Sequence, residues 1–96
     1  MLNNRQKAQL KALGNSLRPI FQIGKDNINH NIIIGLDQAL EAHELVKVSL
    51  LKTTLVTPNE AAIELSAQLH CEVVQIIGRT VILYKPSKKK LITLVK

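Results

Sequence analysis

Residues 19–52 read PIFQIGKDNINHNIIIGLDQALEAHELVKVSLLK, and this stretch decides the fold. Ile20, Phe21, Gln22 and Ile23 are a short β-prone run, and the preceding Pro19 suits a strand's first residue or an edge. Gly24-Lys25-Asp26-Asn27 breaks the run, Ile28-Asn29-His30-Asn31 follows, and Ile33, Leu36 and Leu40 then recur at helical spacing. Either Asn27 or Asn29 can cap that helix. It closes at Ala42-His43-Glu44, and Leu45 to Lys52 has the β-branched, alternating character of a strand. Strand, helix and strand in this order make a βαβ unit with a right-handed crossover.

Upstream, Asn3 is a candidate N-cap, Gln6 completes a capping box, and Leu10, Leu13 and Leu17 supply the apolar face of a helix that Gly14 ends. Downstream, Thr57-Pro58-Asn59-Glu60 combines a capping threonine, a proline at the first helical position and a closing glutamate, which starts a third helix running to about Leu69. Val73 to Ile77 and Val81 to Lys85 are two strands whose link, Gly78-Arg79, reads as a tight hairpin, and Pro86 stops the second. Leu91 to Val95 is either an edge strand or a docked tail. The expected order is αβαβαββ: a compact single-domain α/β fold over residues 1–96, a two-layer sandwich ending in a basic tail from residue 87. Helices two and three should lie on one face of a four-stranded mixed sheet, with strands three and four antiparallel.

Ninety-six residues, 46% of them apolar, give one domain able to bury roughly 60–70% of its unfolded surface without staples. The single cysteine, Cys71, cannot form an intramolecular bridge, and the N-terminus lacks a charged segment followed by an apolar one, so a reduced, cytoplasmic protein is expected. Apolar runs such as Val81 to Tyr84 are four residues long, far short of a bilayer span, and membrane association is not expected.

The net charge is +6 and is strongly segregated. Residues 1–25 carry Arg5, Lys7, Lys11, Arg18 and Lys25 with no acid, and residues 78–96 carry Arg79, Lys85, Lys88, Lys89, Lys90 and Lys96 with none. All seven acids (Asp26, Asp37, Glu41, Glu44, Glu60, Glu64 and Glu72) lie between, against only Lys47 and Lys52. If the fold joins the two ends, their eleven cations make one patch suited to a polyanion, with the acidic middle on the opposite side. Lys7 and Lys11, four apart, share a helix face. The turn into helix two is a candidate anion site: unpaired N–H groups and the helix dipole favour negative charge there, Lys25 adds a cation, and Asn27, Asn29 and Asn31 add neutral donors.

Enzyme readings fail on inventory. His30, His43 and His70 have no thiol or carboxylate at metal-ligand spacing, so neither metal nor cofactor is expected. Cys71 has no adjacent cation to activate it, so a hydrolase or transferase built on Cys71 or His43 is disfavoured. The P-loop and dinucleotide-binding glycine patterns are both missing. With Phe21 and Tyr84 as the only aromatics, and Tyr84 reading as core, a base-stacking platform is lacking, and recognition through backbone and shape is favoured.

Several stretches, taken in order and spacing, resemble the bacterial stand-alone CRM-domain (YhbY-like) family over nearly the whole chain. They are Arg5-Gln6-Lys7, Leu10-Lys11, Leu17-Arg18-Pro19, Ile23-Gly24-Lys25, Ala39-Leu40, His43-Glu44-Leu45, Lys47-Val48, Gln75 to Arg79 and Leu83 to Pro86. The resemblance implies a compact α/β domain similar to the C-terminal domain of bacterial translation initiation factor three. It also implies RNA binding, and bacterial members are linked to precursors of the large ribosomal subunit. The family's GxxG loop falls on Gly24, Lys25, Asp26 and Asn27, with asparagine replacing the second glycine. Asparagine tolerates left-handed backbone angles better than most residues, so the turn is expected to survive.

The expected function is therefore non-catalytic binding of ribosomal RNA as a large-subunit assembly factor, by a monomer with no small-molecule substrate. The expected contacts are Gly24, Lys25, Asn27, Asn29, Lys7, Lys11, Arg18, Arg79, Lys85, Lys88, Lys89 and Lys90. The alternative is a protein-interaction module that docks on a ribosomal protein or assembly factor through its acidic helices.

Overall fold

Each helix begins where the sequence supplies a side-chain cap. In a computed structural model describing residues 2–25 and 27–95, the elements are α1 (Asn4–Asn15), β1 (Phe21–Ile23), α2 (His30–His43), β2 (Leu45–Leu50), α3 (Pro58–Leu69), β3 (Glu72–Ile77) and β4 (Thr80–Tyr84). The Asn3 side chain accepts from Gln6 N at 2.8 Å while Gln6 accepts from Asn3 N at 3.0 Å, closing the expected box. Thr57 and Glu60 repeat this at α3, with Pro58 in the first turn. Asn29, not Asn27, caps α2, accepting from Ile32 N at 2.9 Å. Such caps contribute about 1 kcal/mol each by satisfying orphan N–H groups.

The sheet order is β1-β2-β4-β3. β1 and β2 are parallel, pairing Phe21 with Val48 and Ile23 with Leu50, as the βαβ reading requires. β4 pairs antiparallel with β2, Leu45 opposite Tyr84 and Ser49 opposite Thr80. β3 and β4 form the hairpin across Gly78-Arg79, where Gly78 takes a φ of +56° that a residue with a side chain rarely adopts. A bulge between Val73 and Gln75 interrupts that ladder.

Alternation along the strands creates two apolar faces. Ile23, Val46, Val48, Leu50, Val81 and Leu83 pack with Leu36 and Leu40 of α2 and Ala61, Ala62, Leu65 and Leu69 of α3. The opposite face carries Leu45, Val74, Ile82 and Tyr84, and these are buried with Leu10 of α1. The layering thus differs from the two-layer expectation: α1 covers the second face and makes a third layer. The reason is that β4 is apolar at consecutive positions, so its outward residues also need cover. Gly14 permits the close approach, since a Cβ there would lie 2.8 Å from Ile82 Cδ1.

Residues 91–95 form a docked tail rather than an edge strand. Gln6 and Gln9 donate to the carbonyls of Val95 and Thr93 at 2.9 and 2.8 Å, and Val95 N donates to Gln9 at 2.8 Å. Ile92 and Leu94 pack on the second core. Among the described residues no helix is long and apolar enough to cross a membrane.

Candidate nucleic-acid interface

Because β1 and β2 are parallel and β4 opposes them, three connections gather at one end of the sheet: residues 24–27, residues 51–57 and the Gly78-Arg79 turn. Asn27 N donates to Gly24 O at 2.9 Å, closing the first of these as a turn. Asn27 takes the left-handed conformation, with φ of +56°, that a glycine in its place would supply. Its side chain does what glycine cannot: Oδ1 accepts from Thr54 Oγ1 at 2.6 Å and from Leu55 N at 3.1 Å, tying the first loop to the second. Gly24 lies close against the second loop: a Cβ there would sit 3.2 Å from Leu51 Cδ1, the end of an exposed side chain that would have to shift slightly.

Lys25 is exposed at this end. The Arg79 guanidinium donates to the Leu50 and Leu51 carbonyls at 3.0 and 2.7 Å, so it also terminates β2. Lys52, exposed in the neighbouring loop, is a further candidate that the expected contacts did not include. Its signal was available, because in a parallel βαβ pair the residue after the second strand lies beside the turn after the first.

The remaining candidates lie elsewhere. Lys11 and Arg18 are exposed and Lys7 half-buried, on or just past α1. Lys47 turns inward, donating to the Gly14 and Leu17 carbonyls at 3.3 Å each, and so completes the end of α1. Lys85 follows β4 while Arg79 precedes it, a six-residue separation of about 20 Å at strand rise. Lys85 Nζ lies 3.6 Å from Asp37 Oδ1 on the α2 side. Lys88, Lys89 and Lys90 are exposed at that same far end.

Among the described residues the terminal cations therefore do not form one compact cluster, and Lys96 lies outside the described residues. The basic ends do meet, because the tail docks on α1, but the Gly24–Asn27 turn and Arg79 stand at the opposite end of the sheet from the lysine run. Exposed Asp37, Glu41, Glu60 and Glu64 belong to the α2/α3 layer. The exposed cations of α1 thus lie on one side of the sheet and the exposed acids of α2 and α3 on the other, while Lys85 reaches Asp37 and half-buried Glu72 lies on the α1 side.

Burial pushes the Cys71 thiol up to about 11, with Lys85 only partly opposing it, which leaves it a poor nucleophile at neutral pH. Among the described residues, no cluster of three or more histidine, cysteine or acidic side chains could hold a metal.

Residues 2–85 match the family model described as the CRS1/YhbY (CRM) domain. The chain is 43% identical over 89 residues to the "Probable RNA-binding protein YqeI" of Bacillus subtilis, covering 93% of each. It is 31% identical to the "Probable RNA-binding protein PA4753" of Pseudomonas aeruginosa, covering 92% of this chain and 85% of that one. The solution structure of the hypothetical protein SAV1595 from Staphylococcus aureus superposes with a TM-score of 0.74 at 39% identity, covering 99% of this chain and 100% of the other.

Proposed function

The chain belongs to the CRS1/YhbY (CRM) domain family, and from that premise we propose that it is a non-catalytic RNA-binding protein that recognises phosphate backbone and shape. The observation that carries this reading is the closed Gly24–Asn27 turn, which puts exposed Lys25 at the same end of the sheet as Lys52 and Arg79. Loops at this end of an α/β sheet are where such folds place ligands. Base stacking is a poor alternative, because Tyr84 is 4% exposed and Phe21 packs against Gly35.

The finer reading is that residues 1–96 act as one domain, a cytoplasmic monomer that binds ribosomal RNA in a large-subunit precursor. It is supported by the family resemblance carried by Ala39-Leu40, His43-Glu44-Leu45 and the Gly24 turn. Sedimentation of cell lysate on a density gradient at low and moderate salt tests it. Co-migration with a large-subunit precursor through the salt step is expected, and migration as free protein at both salts would count against it. Lys25→Glu tests the site: affinity should fall across RNA sequences, and the log–log salt slope should flatten by about 0.7–0.9 for the lost phosphate contact. An unchanged slope removes Lys25 from the interface.

A second reading, docking on a ribosomal protein or assembly factor through the acidic layer, is favoured by Ile34 and Ile63, 43% and 70% exposed on α2 and α3. Charge reversal at Glu41 and Glu64 separates the two. Loss of a protein partner with RNA affinity intact would favour this second reading.

A further inference from the structure

Glu44 is the least expected residue of the molecule. It lies between α2 and β2 with φ of +65°, a backbone conformation that a residue with a side chain rarely adopts, and it is 1% exposed. Oε2 accepts from Ser87 N at 2.7 Å and Ser87 Oγ at 2.8 Å, and Oε1 accepts from Ile92 N at 2.7 Å. The Glu44 carbonyl also accepts from Lys85 N at 2.9 Å. One buried carboxylate therefore pins both ends of the segment that contains Lys88, Lys89 and Lys90. Inside it, Lys89 N donates to Ser87 Oγ at 3.2 Å and Lys90 N to Ser87 O at 3.3 Å, and Lys90 adopts φ of +49°. The lysine run is thus a closed turn with its three side chains exposed.

Burying a carboxylate is unfavourable unless its oxygens are well satisfied. Here three donors from the lysine-bearing segment satisfy them. Ordering this turn in advance removes a backbone entropy cost that a free tail would meet on binding an anion. The turn stands at the end of the sheet opposite Lys25 and Arg79, about 20 Å along β4 at strand rise. Between the two ends, α1 offers Lys7 and Lys11, and apart from buried Glu44 the one acid on its side of the sheet among the described residues is half-buried Glu72, whereas the α2/α3 layer exposes Asp37, Glu41, Glu60 and Glu64.

Resting on the RNA-binding reading above, we propose that Glu44 is a positioning residue that presents Lys88–Lys90 as a second, preorganised phosphate contact. One RNA strand then crosses the α1 face and is held at two separated points.

The test compares single-stranded uridylate oligomers of about four and about sixteen nucleotides, the range of single-strand site sizes. Lys88→Gln, Lys89→Gln and Lys90→Asn are combined, asparagine being chosen for the left-handed position. The triple variant should bind the long oligomer about tenfold more weakly, with a salt slope lower by about 2, and the short one no more than about twofold more weakly. Glu44→Gln places an amide NH₂ against N–H donors. It should reproduce the tenfold loss on the long oligomer in the native background and add nothing in the triple variant. Ser87→Ala, a milder change that keeps the Ser87 N–H bond, should lose affinity in the same direction and likewise only when the lysines are present.

Unchanged affinity of the triple variant for the long oligomer overturns the proposal. So does an equal loss on both lengths, or a Glu44→Gln loss that persists in full without the lysines. Wild-type protein that binds neither oligomer overturns the RNA-binding reading together with this inference. Wild-type binding that depends on Lys25 but not on Lys88–Lys90 overturns this inference alone.

Discussion

Position 27 shows how one side chain can replace a glycine and add a function. Asn27 supplies the left-handed backbone and spends its carbonyl oxygen on Thr54 and Leu55. Asn27→Gly keeps the backbone but loses two hydrogen bonds, and should destabilise by about 1–2 kcal/mol. Asn27→Ala adds backbone strain and should cost about 1 kcal/mol more; urea denaturation of the two variants checks the order. Glu44 gives a pH signature. Burial pulls its carboxyl up, but the Ser87 and Ile92 N–H groups, the Ser87 hydroxyl and the Leu91 N–H outweigh that and hold it below the usual carboxylate range. A depressed folded-state value stabilises the fold at every pH above the ordinary value near 4.5, and this contribution is lost as pH falls through the folded value. Wild type should therefore exceed Glu44→Gln by about 2 kcal/mol at neutral pH, with the gap closing as denaturation is measured at progressively lower pH below 4.5. Tyr84 faces the same carboxylate, and burial and that charge push its hydroxyl up, so it stays neutral throughout this range.

Among the elements, both helix layers approach the sheet through a glycine. Gly35 lies in the interior of α2, where alanine is intrinsically better by about 1 kcal/mol. An added Cβ would nonetheless lie 2.7 Å from Cε1 and Cζ of Phe21. Overpacking of this kind costs typically 1–3 kcal/mol, so Gly35→Ala should be net destabilising by about 1 kcal/mol. Combining it with Phe21→Leu should recover most of the loss if the ring is the obstacle, a comparison thermal denaturation can make. Gly14 plays the matching part for α1 against Ile82, but there the obstacle is the end of a flexible side chain. The caps of α1 and α3 and, to within one residue, the start of each strand were legible because they are local: a box of four residues, or an alternation of six, carries its own signal. The side on which α1 packs was not, because a helix with an apolar stripe of leucines fits either face equally well.

Across the whole molecule, the cations of α1 and the exposed acids of α2 and α3 lie on opposite sides of the sheet. The cross-section is 25 × 22 Å, so exposed groups on opposite layers are separated by more than the roughly 10 Å Debye length at moderate salt. Reversing Glu41 and Glu64 to lysine should therefore alter RNA affinity by no more than about threefold, whereas reversing Lys7 and Lys11 to glutamate should cost about tenfold or more. Filter binding at fixed salt distinguishes this from a response to net charge alone, which predicts large effects of opposite sign. The order of elements, the βαβ unit, the hairpin, the caps of α1 and α3 and the segregation of cations to the two ends of the chain are legible from the amino acids alone, because each is written in neighbouring residues or in their spacing. The choice of Asn29 as the α2 cap, the third layer made by α1 and the docked tail, the placing of the Gly24 turn and the lysine run at opposite ends of the sheet, and the ties that Asn27 and Glu44 make between distant loops emerge only on folding. Those outcomes depend on strand register and on hydrogen bonds between residues 27 to 89 positions apart, and no local pattern encodes which distant N–H a buried oxygen will meet.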